Sequence, residues 1–144
     1  MRAVLPFVLG AALACAADEP KKDDKVKEAL KKLEGTWVVD SSVAEGENES
    51  RDLGLEYIFD GDKLTVQNPQ GGETQKFTCK LDPSASPKTI DLTRTEDKYT
   101  FRFIYEIKGD TLKLCLWKAQ PDQYAADFKD GKEHALLILK RPKP

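Results

Sequence analysis

The sequence has one histidine, one methionine and three cysteines in 144 residues, and its charges nearly cancel. Each shortage removes a class of function. The single histidine, His134, rules out a histidine-rich metal centre, and a mixed site would need Cys79, Cys115 and His134 to converge from spacings unlike those of metal ligands. The 23 Lys and Arg residues against 25 Asp and Glu, spread along the chain, leave a formal charge of -2 and no basic stripe for nucleic acid. Gly-x-Ser-x-Gly, Walker and dinucleotide-binding motifs are all missing, so no residue set reads as catalytic. Asp60 and Asp62 flank a glycine, but the twelve-residue calcium loop and its terminal glutamate are lacking, and the two read as turn residues. No metal or cofactor is implied.

What is present begins with a processing signal. Arg2 precedes an apolar run over residues 3–13, and "ALACAAD" follows. The run is too short to span a bilayer and matches the apolar region of a secretory signal peptide. Two maturation routes fit it. Cleavage after an Ala-x-Ala site gives a freely exported protein, in the periplasm, the cell envelope or the medium. Alternatively, Cys15 is the acylated residue of a lipoprotein, and a lipid there is the single membrane attachment the sequence suggests. On either route residues 1–14 are a signal peptide, residues 15–24 ("CAADEPKKDD") a linker or lipid tether, and residues 25–144 one domain.

Within that domain the apolar period changes once. Val26, Ala29, Leu30 and Leu33 recur at helical spacing, which predicts a short helix over residues 25–33, with Asp23 or Asp24 as its cap and Gly35 as its stop. Beyond it the period is two. "TWVVDSS", "LEYIF", "KLTVQ", "QKFTCKL", "KTIDLTR", "YTFRFIYEI", "TLKLCLW" and "HALLILK" predict eight strands. "DGD" at 60–62 and "KGD" at 108–110 place glycine where a tight hairpin needs positive φ, and "KDGKE" at 129–133 has similar chemistry. Eight hairpin-linked strands either close or expose two edges, so the expected fold is all-β: an antiparallel up-and-down barrel with a short N-terminal helix.

In "EGTWVVDSS" (34–42) a tryptophan follows Gly35 by two residues at the start of the first strand. A short helix, a glycine, one residue and then tryptophan is how lipocalin-type barrels begin, and the resemblance implies that Trp37 plugs one end under a basic residue from the last strand. Arg141 is placed to be that residue, as a cation–π partner. More of the chain, from "LEGTWVV" through "FDGDKLTV", "LDPSASPKTIDL" and "FIYEIKGDTLKLC" to "LLILKR", resembles a family of small exported lipocalin-like domains abundant in planctomycetes. It departs from that family at "QYAADF" (123–128). The resemblance implies a barrel and export, and it carries no reaction with it.

A barrel of this size either holds one small molecule or is filled by its own side chains. The expected function is non-catalytic binding of a small apolar or amphipathic ligand by a monomer, with Tyr57, Phe59, Phe103, Tyr105 and Leu114 facing the ligand. A second reading is an interaction or envelope-structural module acting through loops 46–52 and 83–87, and an unrecognised enzyme is a third. Alternation sets Cys79 with Phe77 and Leu81 but Cys115 opposite Leu112, Leu114 and Leu116, which predicts two separate thiols in place of a disulfide. Asp91 and Glu106 fall on polar strand faces beside basic neighbours. His134 reads as an ordinary strand-end residue; the alternative, should the last two strands pair, is an approach of Cys115 and His134 as a nucleophile and base.

Overall fold

The computed structural model describes residues 22–129 and 131–142. The expected signal peptide, Cys15 and most of the expected tether lie outside the described residues. Helix α1 (Lys22–Leu33) begins three residues before the position its apolar period predicts, inside the stretch assigned to the tether. Asp23 and Asp24 are therefore helical residues and not caps. The reason is that apolar spacing marks only the buried turns, whereas a solvated first turn needs no apolar residue. Ala29 and Leu33 are buried and Val26 and Leu30 half-buried, so the helix lies on the barrel by the predicted face.

All eight expected strands form: β1 (Gly35–Ala44), β3 (Glu56–Asp60), β4 (Lys63–Gln67), β5 (Gln75–Asp82), β6 (Thr89–Arg94), β7 (Thr100–Lys108), β8 (Thr111–Trp117) and β9 (His134–Lys140). A further two-residue strand, β2 (Glu47–Asn48), folds back on the end of β1. Neighbours pair antiparallel in chain order, and β9 returns to β1, which closes an eight-stranded lipocalin-like barrel. Closure leaves no open edge among the eight. Gly61 (φ 60) and Gly109 (φ 55) each take the first central position of a two-residue hairpin loop, a conformation that residues with a Cβ rarely adopt.

One end of the barrel is sealed by a group of interactions at the helix terminus. The last carbonyls of a helix have no partner within it. Here the Trp37 indole N–H donates to Leu33 O at 2.8 Å, and Arg141 donates from Nη2 to Lys32 O (3.0 Å) and from Nη1 to Thr36 O (3.3 Å). The guanidinium carbon sits 3.8 Å from the centre of the fully buried Trp37 ring. A cation at that terminus also opposes the helix dipole. Gly35, with φ of 108, turns the chain from helix to strand, and a Cβ there would stand 2.9 Å from Arg141 Nη1. Glycine is needed twice over, for backbone conformation and for space.

Inward-facing side chains fill the barrel above this plug: Phe59, Leu64, Phe77, Ile90, Leu92, Leu112, Leu114 and Leu139 are all buried. Burying a side chain of this size contributes roughly 1.5–3 kcal/mol, so the filled interior is the main source of stability. Outside the wall, the 118–133 connection folds over β7 and β8, where Ile104, Cys115 and Ala125 form a second buried cluster flanked by Trp117, Phe128 and Leu136. Tyr124 fixes this connection to the wall by donating its hydroxyl hydrogen to Asp91 Oδ1 at 2.5 Å.

Replacing Arg141 by alanine is expected to lower stability by about 1–3 kcal/mol, from the cation–π contact and two hydrogen bonds. Gly35→Ala is expected to cost a similar amount, and less in the Arg141→Ala background because the clash is gone while the φ strain stays. Urea denaturation of the two single variants and the double variant measures both. Equal costs of Gly35→Ala in the two backgrounds would show that the glycine does not make room for the guanidinium.

Candidate functional site

The phase of β1 decides the shape of the open end. Register slips between Val39 and Ser41, so Asp40 is an extra residue, a β-bulge whose carboxylate pairs with Lys140 at 3.3 Å. Unbroken alternation from Trp37 and Val39 would send Ser41 and Val43 inward. After the bulge it is Ser42 and Ala44 that face the interior. Ala44 pairs with Ala135 of β9, and Ser42 with Leu137. Small side chains thus meet at the seam where the barrel closes.

The consequence is a cup of about 360 Å³ at the mouth. Phe101, Phe103, Leu116 and Leu137 form its apolar floor, with Ala44 and Ala135 at the seam, and Glu49, Arg51, Asp52 and Lys118 stand around it. The buried Ser42 hydroxyl donates to Asp52 Oδ2 at 2.8 Å. That bond holds the turn Ser50–Asp52 down over the opening, and Gly54 N–H donating to Val39 O anchors the far side of the same segment. An apolar floor with a few placed polar groups is the general form of a small-molecule site.

The five residues expected to face a ligand do not share one surface. Phe103 lies on the floor of the cup. Phe59 and Leu114 are sealed in the core at 1% and 0% exposure, so a ligand would have to displace packing to reach them. Tyr105, nearly buried, borders a cavity on the far side, beside α1 and loop 83–88. Burial, with Asp82 nearby, raises its hydroxyl pKa to about 12. Tyr57 is half-buried, and its hydroxyl is pushed up by desolvation and then by the Asp52 charge. Ser42, Ala44, Leu116, Ala135 and Leu137 were not anticipated, and Asp52 belongs to the 46–52 loop of the second reading. The signal for two of them was available: alanine at strand positions where neighbours carry large apolar groups.

A larger groove of about 710 Å³ lies outside the wall, between Val26 and Leu30 of α1, the Cys79–Asp82 stretch and Tyr124. Two of its three carboxylates are engaged locally: Asp82 accepts from Ser84, and Asp91 from Tyr124. It also adjoins the start of α1, where the undescribed residues 1–21 join the chain. The cup, in contrast, lies at the open end of the barrel, over its filled interior.

Among the described residues, Cys115 and His134 are not placed as a nucleophile and base. Strands β8 and β9 do pair, but His134 lies opposite Trp117 and stacks on it with ring centroids 6.0 Å apart and planes 1° from parallel. The Cys115 thiol points instead toward Lys129 O (3.4 Å) and Asp127 O (3.7 Å). Among the described residues, no group of three or more His, Cys, Asp or Glu side chains is arranged to hold a metal ion. No described helix is long and apolar enough to cross a membrane. Comparison with family models, with curated proteins and with solved structures finds no match for this chain.

Cys79 and Cys115 are both buried and lie in separate clusters, one inside the barrel and one outside it, as alternation places them. Burial, and secondarily Asp62, raises the Cys79 pKa to about 12. At about pH 8 only about one Cys79 in 10⁴ is then thiolate, the reactive form. In a Cys15→Ser chain, both thiols are expected to resist an aromatic disulfide reagent when folded and to react fully in guanidinium. Rapid labelling of the folded chain would contradict this placement.

Proposed function

We propose that the protein is an exported, non-catalytic lipocalin-like binding protein that holds a small apolar or amphipathic ligand at the mouth of its barrel. The supporting observation is the cup. A filled barrel whose closure seam carried large side chains at its top would be sealed there, and here Ala44 meets Ala135 at that end of the seam. The ligand's apolar part lies on Phe103 and Leu137 while its polar part stays at the rim, near Ser42 and Asp52. Binding is shallow, because Phe59, Leu112 and Leu114 occupy the deeper space. The export part of the reading rests on residues 1–18, and the resemblance to small exported lipocalin-like domains agrees with it. Attachment to a membrane, where it occurs, runs through a lipid on Cys15.

A second reading, an interaction module, is favoured by a different observation. Residues of the 83–87 loop border three cavities, two of them beside α1, where Val26 and Leu30 are half-buried. A partner segment would lie there, on the outside of the barrel and away from the mouth.

Filling the cup separates the two. Ala44→Phe puts a ring into the cup from a half-exposed position, so the core is left intact. Binding of a neutral fluorescent probe such as N-phenyl-1-naphthylamine is expected to weaken by about tenfold or more, equivalent to about 1.4 kcal/mol, with the melting temperature little changed. Unaltered probe binding by Ala44→Phe would place the site elsewhere.

A further inference from the structure

The charges around the cup do not balance once their pairings are followed. Two cations reach it, Arg51 and Lys118. Each already faces a carboxylate of the segment that crosses the mouth: Arg51 Nε lies 3.6 Å from Glu49 Oε2, and Lys118 Nζ 3.7 Å from Glu45 Oε1. Asp52 is different. Its carboxylate is half-buried, accepts the Ser42 hydroxyl, and ion-pairs with no lysine or arginine among the described residues. A hydroxyl donor orients a carboxylate but leaves its charge in place.

The wider field has the same sign. Residues 45–52 carry Glu45, Glu47, Glu49 and Asp52 against Arg51 alone. A concave, low-dielectric opening beneath such a segment concentrates negative potential and draws cations toward it. The Tyr57 hydroxyl registers that field, since Asp52 raises its pKa in addition to burial. The floor adds a further preference, because Phe101 and Phe103 present aromatic faces that attract cations. Arg94 already uses the Phe101 ring in this way at 5.4 Å.

Resting on the binding function proposed above, we infer that the cup selects cationic amphiphiles: a primary or quaternary ammonium beside the Asp52 carboxylate and a short hydrocarbon or aryl tail on Phe103, Leu116 and Leu137. An anionic head of the same size would meet Asp52 without a compensating cation and would have to break the Arg51–Glu49 or Lys118–Glu45 pair to find one. A neutral head would gain the apolar floor and little more.

Three probes with one tail test this: octylammonium, octanol and octanoate, titrated into the isotope-labelled full chain at about pH 7 and followed by backbone NMR shifts. Octylammonium is expected to bind about tenfold more tightly than octanol, the scale of one charge-assisted hydrogen bond, with octanoate the weakest. Asp52→Asn keeps an oxygen that can accept from Ser42 and removes the charge. It is expected to erase the ammonium preference, so that octylammonium and octanol bind the variant with equal affinity. Raising salt from about 50 mM to about 500 mM should narrow the gap in the native chain, because screening shortens from roughly 14 Å to about 4 Å. Equal binding of the three probes, tighter binding of octanoate, or a preference that survives Asp52→Asn would overturn the charge selection while leaving apolar binding in place. Absence of shifts at the mouth with all three would overturn the binding function itself and this inference with it.

Discussion

The indole of Trp37 and the guanidinium of Arg141 satisfy the end of α1 and close the barrel with the same atoms. Leu33 O and Lys32 O are the carbonyls a helix leaves open at its last turn, and the two ends of the barrel chain supply their donors. Residues about a hundred positions apart are joined at one point, next to the β1–β9 pairing that turns a sheet into a cylinder. Gly35 permits this by turning sharply and by having no side chain where Arg141 lies. Removing any one of the three weakens both the helix terminus and the plug, which explains why such different residues serve a common purpose.

A plugged end fixes which end can do anything else. From Trp37 upward, buried rings and leucines occupy the interior, so the barrel is a solid support and not a container. The bulge at Asp40 then changes which residues of β1 point inward, and Ala44 takes the inward place that unbroken alternation would give Val43. The cup is therefore a local product of one extra residue in one strand. Its electrostatics come from a separate source, the acidic segment 45–52, which the Ser42–Asp52 hydrogen bond holds across the mouth. Shape and charge are set independently and meet at Asp52.

Much of this was legible from the residues in order. The eight strands follow from period-two alternation, the hairpins from Gly61 and Gly109, and the separation of the two thiols from counting alternate positions on β5 and β8. The Trp37–Arg141 contact came from the lipocalin-like opening of the chain. The bulge was not legible, because "VVDSSVA" alternates acceptably in either phase and nothing local says that Asp40 is extra; only the pairing with β9 decides it. Depth was not legible either: of the five residues expected to face a ligand, Phe103 lies on the floor of the cup. Phe59 and Leu114 do point inward, but alternation gives direction and not depth, and depth determines whether an inward residue is core or cup. The 118–133 connection carries little periodicity, so its cover over Cys115 and its tie to Asp91 through Tyr124 appear only in three dimensions.

Hydrogen exchange of the Trp37 indole N–H tests the central claim most directly, since that one proton lies between the helix end and the barrel interior. Exchange as slow as that of the most protected amides of β1 and β9, speeding up only with global unfolding, is the result this account predicts. An indole proton that exchanges at the rate of a solvent-exposed tryptophan while those amides remain protected would mean that the barrel closes without its plug.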